Sequence, residues 1–120
     1  MNGLEEVKEV VIIGDGAKWV WNIAEELFPD AVFILDYYHF SEHVHECAEV
    51  IYPEDEVNRR RWIDSIIEGF MNGRIEETLS VIDPDAYEDE KASKKVAELK
   101  NYLERNKENV RYKEYRDRGY

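Results

Sequence analysis

The hydrophobic pattern changes period twice within the first forty residues. Val10 to Ile13 is a run of four β-branched residues closed by Gly14, Asp15 and Gly16, which predicts a buried strand ending in a tight turn. From Ala17 the spacing becomes helical: Val20, Ala24, Leu27 and Phe28 share one face, Trp19 and Ile23 flank it, and Pro29 closes the run. A second apolar run, Ala31 to Leu35, ends at Asp36. Strand, helix and strand at this length predict a right-handed βαβ unit with parallel strands, so that Asp15 and Asp36 leave the sheet at the same edge.

Beyond Tyr38 the pattern is helical almost throughout. One helix is expected over about His39 to Ile51, and Pro53 separates it from a second over about Glu54 to Met71. The second carries Trp62, Ile63, Ile66, Ile67 and Phe70 on one stripe and stops at Asn72 and Gly73. A short helix is expected from Arg74 to Val81. Asp83 and Pro84 are expected to start a longer one, with Ala92, Val96, Leu99 and Leu103 recurring at three and four residues. The last stretch, Glu108 to Tyr120, can extend as helix or fray. Two strands make a marginal sheet unless helices wrap it or further strands extend it.

At 120 residues the chain supports a single domain with one core, divided into a βαβ part at residues 1–38 and a helical region at residues 39–120. Charged residues make up 37%, which fits long solvated helices. The net charge of −12 argues against simple electrostatic binding of duplex nucleic acid, but it is unevenly placed. Residues 91–118 hold ten Lys or Arg against five Asp or Glu, about +5, while residues 1–90 hold six against twenty-three, about −17. A phosphate backbone could still be met through divalent ions on the acidic part or through the basic helical end. Cys47 is the single cysteine, which excludes an intrachain disulfide and a Cys-based zinc site and fits a reducing compartment. No apolar run reaches the roughly 18 to 20 residues that span a bilayer. The acidic MNGLEEVKEV start does not fit a signal peptide, so a cytoplasmic location and no membrane partner are expected.

Several short patterns carry candidate chemistry. The Gly14-Asp15-Gly16 turn before a helix could offer backbone N–H groups to an anion, but it matches neither G-x-G-x-x-G nor the Walker pattern, and Asp15 at its tip repels phosphate unless a metal intervenes. Asp15 is therefore read either as a turn residue capping the next helix or as a metal-binding carboxylate. His39 to His43 spells H-x-x-E-H, the order of inverted zinc metallopeptidases, with Glu46 available to complete a site; a polar helix start is the alternative. Arg59, Arg60 and Arg61 spread around a helix and are expected to pair with Glu54 to Glu56 rather than to form a phosphate-binding stripe. Trp19 and Trp21 are expected as core and cover, with base stacking as the lesser alternative.

Taken together, GDGAKWVWNIAEELFPDAVFILDYYHFSEHV resembles the middle of the catalytic domain of insertion-sequence DDE transposases and is distantly similar to their Mutator-like group. The similarity rests on Asp15, Gly16, Ala17, Trp19, Trp21, Phe28, Pro29, Asp36, Tyr38, His39, Glu42 and His43, that is, on a strand ending in a DGA turn, a W-x-W helix and a second strand running into D-x-x-H. The helical stretch around Trp62 is similar, more weakly, to the all-helical insertion such enzymes carry before their last acid.

The resemblance implies a ribonuclease H-like fold, here a small parallel βαβ unit followed by a mostly helical C-terminal region. Three carboxylates hold Mg²⁺ or Mn²⁺ in that family and direct phosphodiester chemistry on DNA. It implies Asp15 as the catalytic, metal-binding acid, with Asp36, His39, Glu42 and His43 supporting it. It also implies that the first and last acids lie outside this stretch. The expectation is therefore a transposase fragment that binds metal weakly or not at all and is inactive alone. The competing expectation is a small interaction or regulatory module that pairs through an exposed sheet edge, in the simplest case as a homo-oligomer.

Overall fold

The structure, a computed structural model, describes residues 10–15 and 18–119. It is a mixed α/β arrangement, mostly helical. Strand β1 (Val11–Gly14), helix α1 (Lys18–Leu27) and strand β2 (Val32–Leu35) form the expected βαβ unit. The two strands are parallel, in the register Val11↔Val32 to Gly14↔Leu35. Helices α2 (Tyr37–Ile51), α3 (Glu56–Met71), α4 (Ile75–Val81), α5 (Glu90–Arg105) and α6 (Tyr112–Asp117) follow, with single 3-10 turns at Pro84–Ala86 and Lys107–Asn109.

Aspartates start helices α2, α3 and α5. Asp36 accepts from the Tyr38 amide at 2.9 Å, Asp55 from the Asn58 amide at 3.1 Å and Asp89 from the Ala92 amide at 3.3 Å, each satisfying a donor that the first helical turn leaves unpaired. Three expected starts move for this reason, among them that of α3, which opens at Glu56 rather than about Glu54 because Asp55 caps it. Helix α2 opens at Tyr37, two residues before His39, because Asp36 caps it. The long C-terminal helix opens at Glu90, because Asp83 caps only the short turn at Pro84–Ala86 and Asp89 caps α5. The end of α3 is as the sequence predicts. Gly73 takes a φ of +78°, Arg74 N–H donates to the Gly69 carbonyl at 2.8 Å and Gly73 N–H to that of Phe70 at 3.2 Å, which together make a Schellman motif.

The core belongs to the helices. Phe40, Val44, Cys47 and Ala48 of α2, Ile63, Ile66 and Phe70 of α3, Leu79 of α4, and Val96, Leu99 and Leu103 of α5 pack into one cluster. Phe40 and Phe70 meet edge to face at 5.3 Å between ring centroids. The sheet joins this cluster through Leu35. Trp62 and Ile67 pack against it from the rim rather than within it. At Gly69 the α3 backbone runs so close to α4 that an added Cβ would lie 2.1 Å from Thr78 Oγ1.

Of the stripe expected on α1, the Val20 side chain lies outside the described residues, Ala24 is half-buried, and the far end is open. Leu27 is 66% and Phe28 48% exposed, whereas Trp21, outside that stripe, packs inward against Phe33 with ring centroids 5.8 Å apart. Among the described residues no element covers Leu27 and Phe28, so their amphipathic period has no partner surface here. The segment at 107–119 does not continue α5. It turns at Lys107–Asn109 and returns as α6, which places Tyr115 in the buried set.

Candidate functional site

The carboxyl ends of β1 and β2 bring the sequence-derived residues together. The Asp36 amide donates to the Gly14 carbonyl at 2.6 Å, so the residues following each strand, Asp15 and Asp36, emerge side by side at one edge of the sheet. This is the edge at which open α/β sheets hold ligands, because side chains there point out of the core. Asp15 is exposed. Asp36 is half-buried and its carboxylate is engaged in capping α2, so it organises the second strand end as well as adding charge to it. Gly16 and Ala17, which complete the DGA turn, lie outside the described residues, as does the Trp19 side chain.

The H-x-x-E-H run occupies the first turns of α2. His39 and Glu42 are exposed, while His43 is half-buried and its ring stacks on Tyr102 of α5, with centroids 3.9 Å apart and planes at 24°. Burial holds the His43 imidazole below its ordinary pKa, against the opposing pull of Glu46 and Glu42. Glu46 lies 3.9 Å from Lys95. Among the described residues no three His, Cys, Asp or Glu side chains are grouped so that they could share one metal ion. Asp15 supplies a hard oxygen donor at the strand end, fit to be one ligand of a Mg²⁺ or Mn²⁺ ion whose other positions are filled by water or by groups from elsewhere.

Tyr102 was not legible as a site residue in the sequence. Its hydroxyl donates to the Asp15 carbonyl at 3.1 Å, eighty-seven residues away along the chain. Burial, reinforced by the negative charges of Asp15, Asp36 and Glu42, raises its phenol to about 12. One turn further on, the buried Asn106 accepts from Trp21 Nε1–H at 2.9 Å and donates through Nδ2 to the Tyr102 carbonyl at 2.9 Å. The available signal was the pair of polar residues at 102 and 106, one turn apart beside the apolar stripe of α5. Nothing in their spacing named Asp15 or Trp21 as partners.

The arginines divide by position. Arg59 donates to the carbonyls of Tyr52 and Pro53 at 3.2 and 3.3 Å, closing the α2–α3 connection, and Arg60 pairs with Glu56 at 3.8 Å on the surface. None of the described helices is long and apolar enough to cross a membrane.

No curated protein and no solved structure matches this chain. A family model does match, over residues 2–120, and it covers the strand ends, the helical core and α6 alike; the chain belongs to the uncharacterised protein family UPF0236.

Proposed function

We propose that this chain is part of a DDE transposase catalytic domain, of ribonuclease H-like type, that carries one of the metal-binding acids and is inactive as an isolated catalyst. The observation that carries the reading is the placement of Asp15 beside Asp36 at the carboxyl edge of two parallel strands joined by a helix. Asp15 is the residue to hold a divalent ion. When bound, such an ion supplies Lewis-acid activation of water or a 3′-hydroxyl toward a phosphodiester. Asp36 fixes the neighbouring strand end by capping α2, and His39, Glu42 and His43 lie on the turns that follow. DNA is the proposed partner of the whole catalytic unit.

The test is residue-resolved Mn²⁺ binding, read as paramagnetic broadening of amide signals. Broadening centred on Asp15 and lost in Asp15→Asn supports the reading; broadening spread over the acidic surface with no preference for Asp15 sinks it. Supercoiled DNA with Mg²⁺ or Mn²⁺ should remain unnicked. Nicking that disappears in Asp15→Ala would refute the inertness while supporting the assignment of the acid.

A second reading, an interaction module, is favoured by the outer edge of β1. Val11 and Ile13 direct their backbone groups away from β2, Ile13 is 66% exposed, and among the described residues nothing pairs with that edge. Its four residues include no charge, no proline and no bulge, the devices that normally blunt an open edge. The occupant proposed in this reading is a second copy, paired across a two-fold axis. Light scattering at high concentration decides it: a dimer that Ile13→Lys dissociates is expected, and a strict monomer counts against it.

A further inference from the structure

Helix α5 and its C-terminal cap residue hold Asp15 and α1 at two points one helical turn apart. Tyr102 Oη holds the carbonyl of Asp15, the last described residue before the connection, and Asn106 Oδ1 holds the indole N–H of Trp21, in the first turn of α1. The two grips are coupled, because the same Asn106 amide donates to the Tyr102 carbonyl. Asn106 is only 1% exposed and uses both ends of its amide, so its orientation is fixed on both sides. The Tyr102 ring is seated in turn by the stacked His43.

Packing alone does not require this arrangement. A leucine or phenylalanine at 102 would fill the same volume, and burying an amide at 106 is costly unless its hydrogen bonds are made. The polar groups are spent on the backbone of one exposed strand-end residue and on the helix that follows it. A carboxylate on an untethered turn sweeps a range of directions, whereas a site that binds an ion needs its donor held to about 0.5 Å.

We propose that Tyr102 and Asn106 are positioning residues for the Asp15 carboxylate, so that the helical region fixes the direction in which the strand-end acid projects. This rests on the reading of Asp15 as a metal-binding acid. It assigns the helical region a part in the site, carried by α5 and by His43 beneath the Tyr102 ring.

The test uses the full chain with Tyr102→Phe, which keeps the ring and its stack and removes only the bond to Asp15, and Trp21→Phe, which removes the donor to Asn106. Two quantities are read: the Cα–Cβ rotamer couplings of Asp15 by NMR, and the Mn²⁺ affinity from broadening of the Asp15 amide. Wild type should show one dominant Asp15 rotamer. Both variants should show averaged couplings and an affinity lowered roughly two- to ten-fold, the range that corresponds to losing one hydrogen bond, with signals from the α2–α3 core unmoved. A loss of thermal stability with unchanged Asp15 couplings and unchanged Mn²⁺ affinity would show that the contacts only dock α5, and would overturn the proposal. If Asp15→Asn leaves Mn²⁺ broadening intact, the metal-binding reading fails and the rotamer couplings alone judge the positioning role.

Discussion

The hydroxyl of Tyr112 donates at 2.8 Å to the carbonyl of Leu35, the last residue of β2, and Tyr115 Oη, three residues on, whose nearer acceptor is the Glu108 carbonyl, lies 3.4 Å from the carbonyl of Phe33. In the parallel pair Val32 and Asp36 direct their amides to β1, so Phe33 and Leu35 face the opposite way and their carbonyls form the outer edge of β2. Tyr112 of α6 thus occupies one acceptor that a further strand would use, and the Tyr115 hydroxyl lies over a second. Of the two sheet edges, the one beside β2 is closed by this chain's own C-terminal helix, which confines any strand pairing to β1.

Removing that cap should cost stability and expose the edge. Tyr112→Phe is expected to lose about 1 kcal/mol, the net worth of one hydrogen bond to a backbone acceptor. Tyr112→Ala, which also abandons the rings of Tyr37 and Phe40 at 6.2 and 5.7 Å, should lose about 3–5 kcal/mol. Urea denaturation measures both. The double variant Tyr112→Phe/Tyr115→Phe should in addition self-associate, visible by sedimentation.

Gly69 is required by the contact between α3 and α4. Alanine there raises helix propensity, yet its methyl would overlap Thr78 Oγ1, which already donates to the Arg74 carbonyl at 2.5 Å. Gly69→Ala should destabilise by about 1–3 kcal/mol through overpacking. Combined with Thr78→Ala, most of that loss should be recovered in a double-mutant cycle.

His43 should make stability depend on pH in the mildly acidic range. Its folded pKa lies below the ordinary 6.5, chiefly through burial, so the unfolded chain takes up the proton first. The contribution is fully present above about pH 6.5 and is lost as pH falls toward and through the lowered folded value. Denaturation midpoints of wild type should therefore drop across that window more steeply than those of His43→Phe. Equal slopes in the two proteins would contradict the burial of this imidazole.

The alkaline side should be governed by phenols. Tyr87, Tyr102, Tyr112 and Tyr115 are all raised above 10, each first by burial, Tyr102 to about 12. Raised folded values mean stability that is intact below pH 10 and is lost as pH climbs through them. Absorbance at 295 nm should show part of the eight tyrosines ionising near the ordinary value and the rest only together with unfolding.

Cys47 should be silent in the folded protein. It is fully buried and its thiol is pushed up to about 12, so almost no thiolate exists at neutral pH. Reaction with a disulfide reagent should be slow under native conditions and reach one thiol per chain in denaturant.

What the sequence by itself determined follows from local periodicity and turn chemistry. The strand-to-aspartate pattern placed β1 and β2, with Asp15 and Asp36 at one edge, because short continuous apolar runs closed by turn residues and βαβ handedness are near-local rules. The stripe through Ile63, Ile66 and Phe70 and that through Val96, Leu99 and Leu103 gave the core for the same reason. The stop at Gly73 followed from the positive φ that glycine adopts most readily.

Tertiary structure decided the rest. Leu27 and Phe28 have a perfectly good helical period, yet whether a face is covered depends on another element being there to cover it. Asp36 reads equally as a cap or as part of a site until the helix it starts is seen. The grip of Tyr102 and Asn106 on Asp15 and Trp21, and of Tyr112 and Tyr115 on β2, spans 77 to 87 residues of chain. A hydrogen bond is set by distance and angle between two groups, and at such separations only the packing of the helices fixes either.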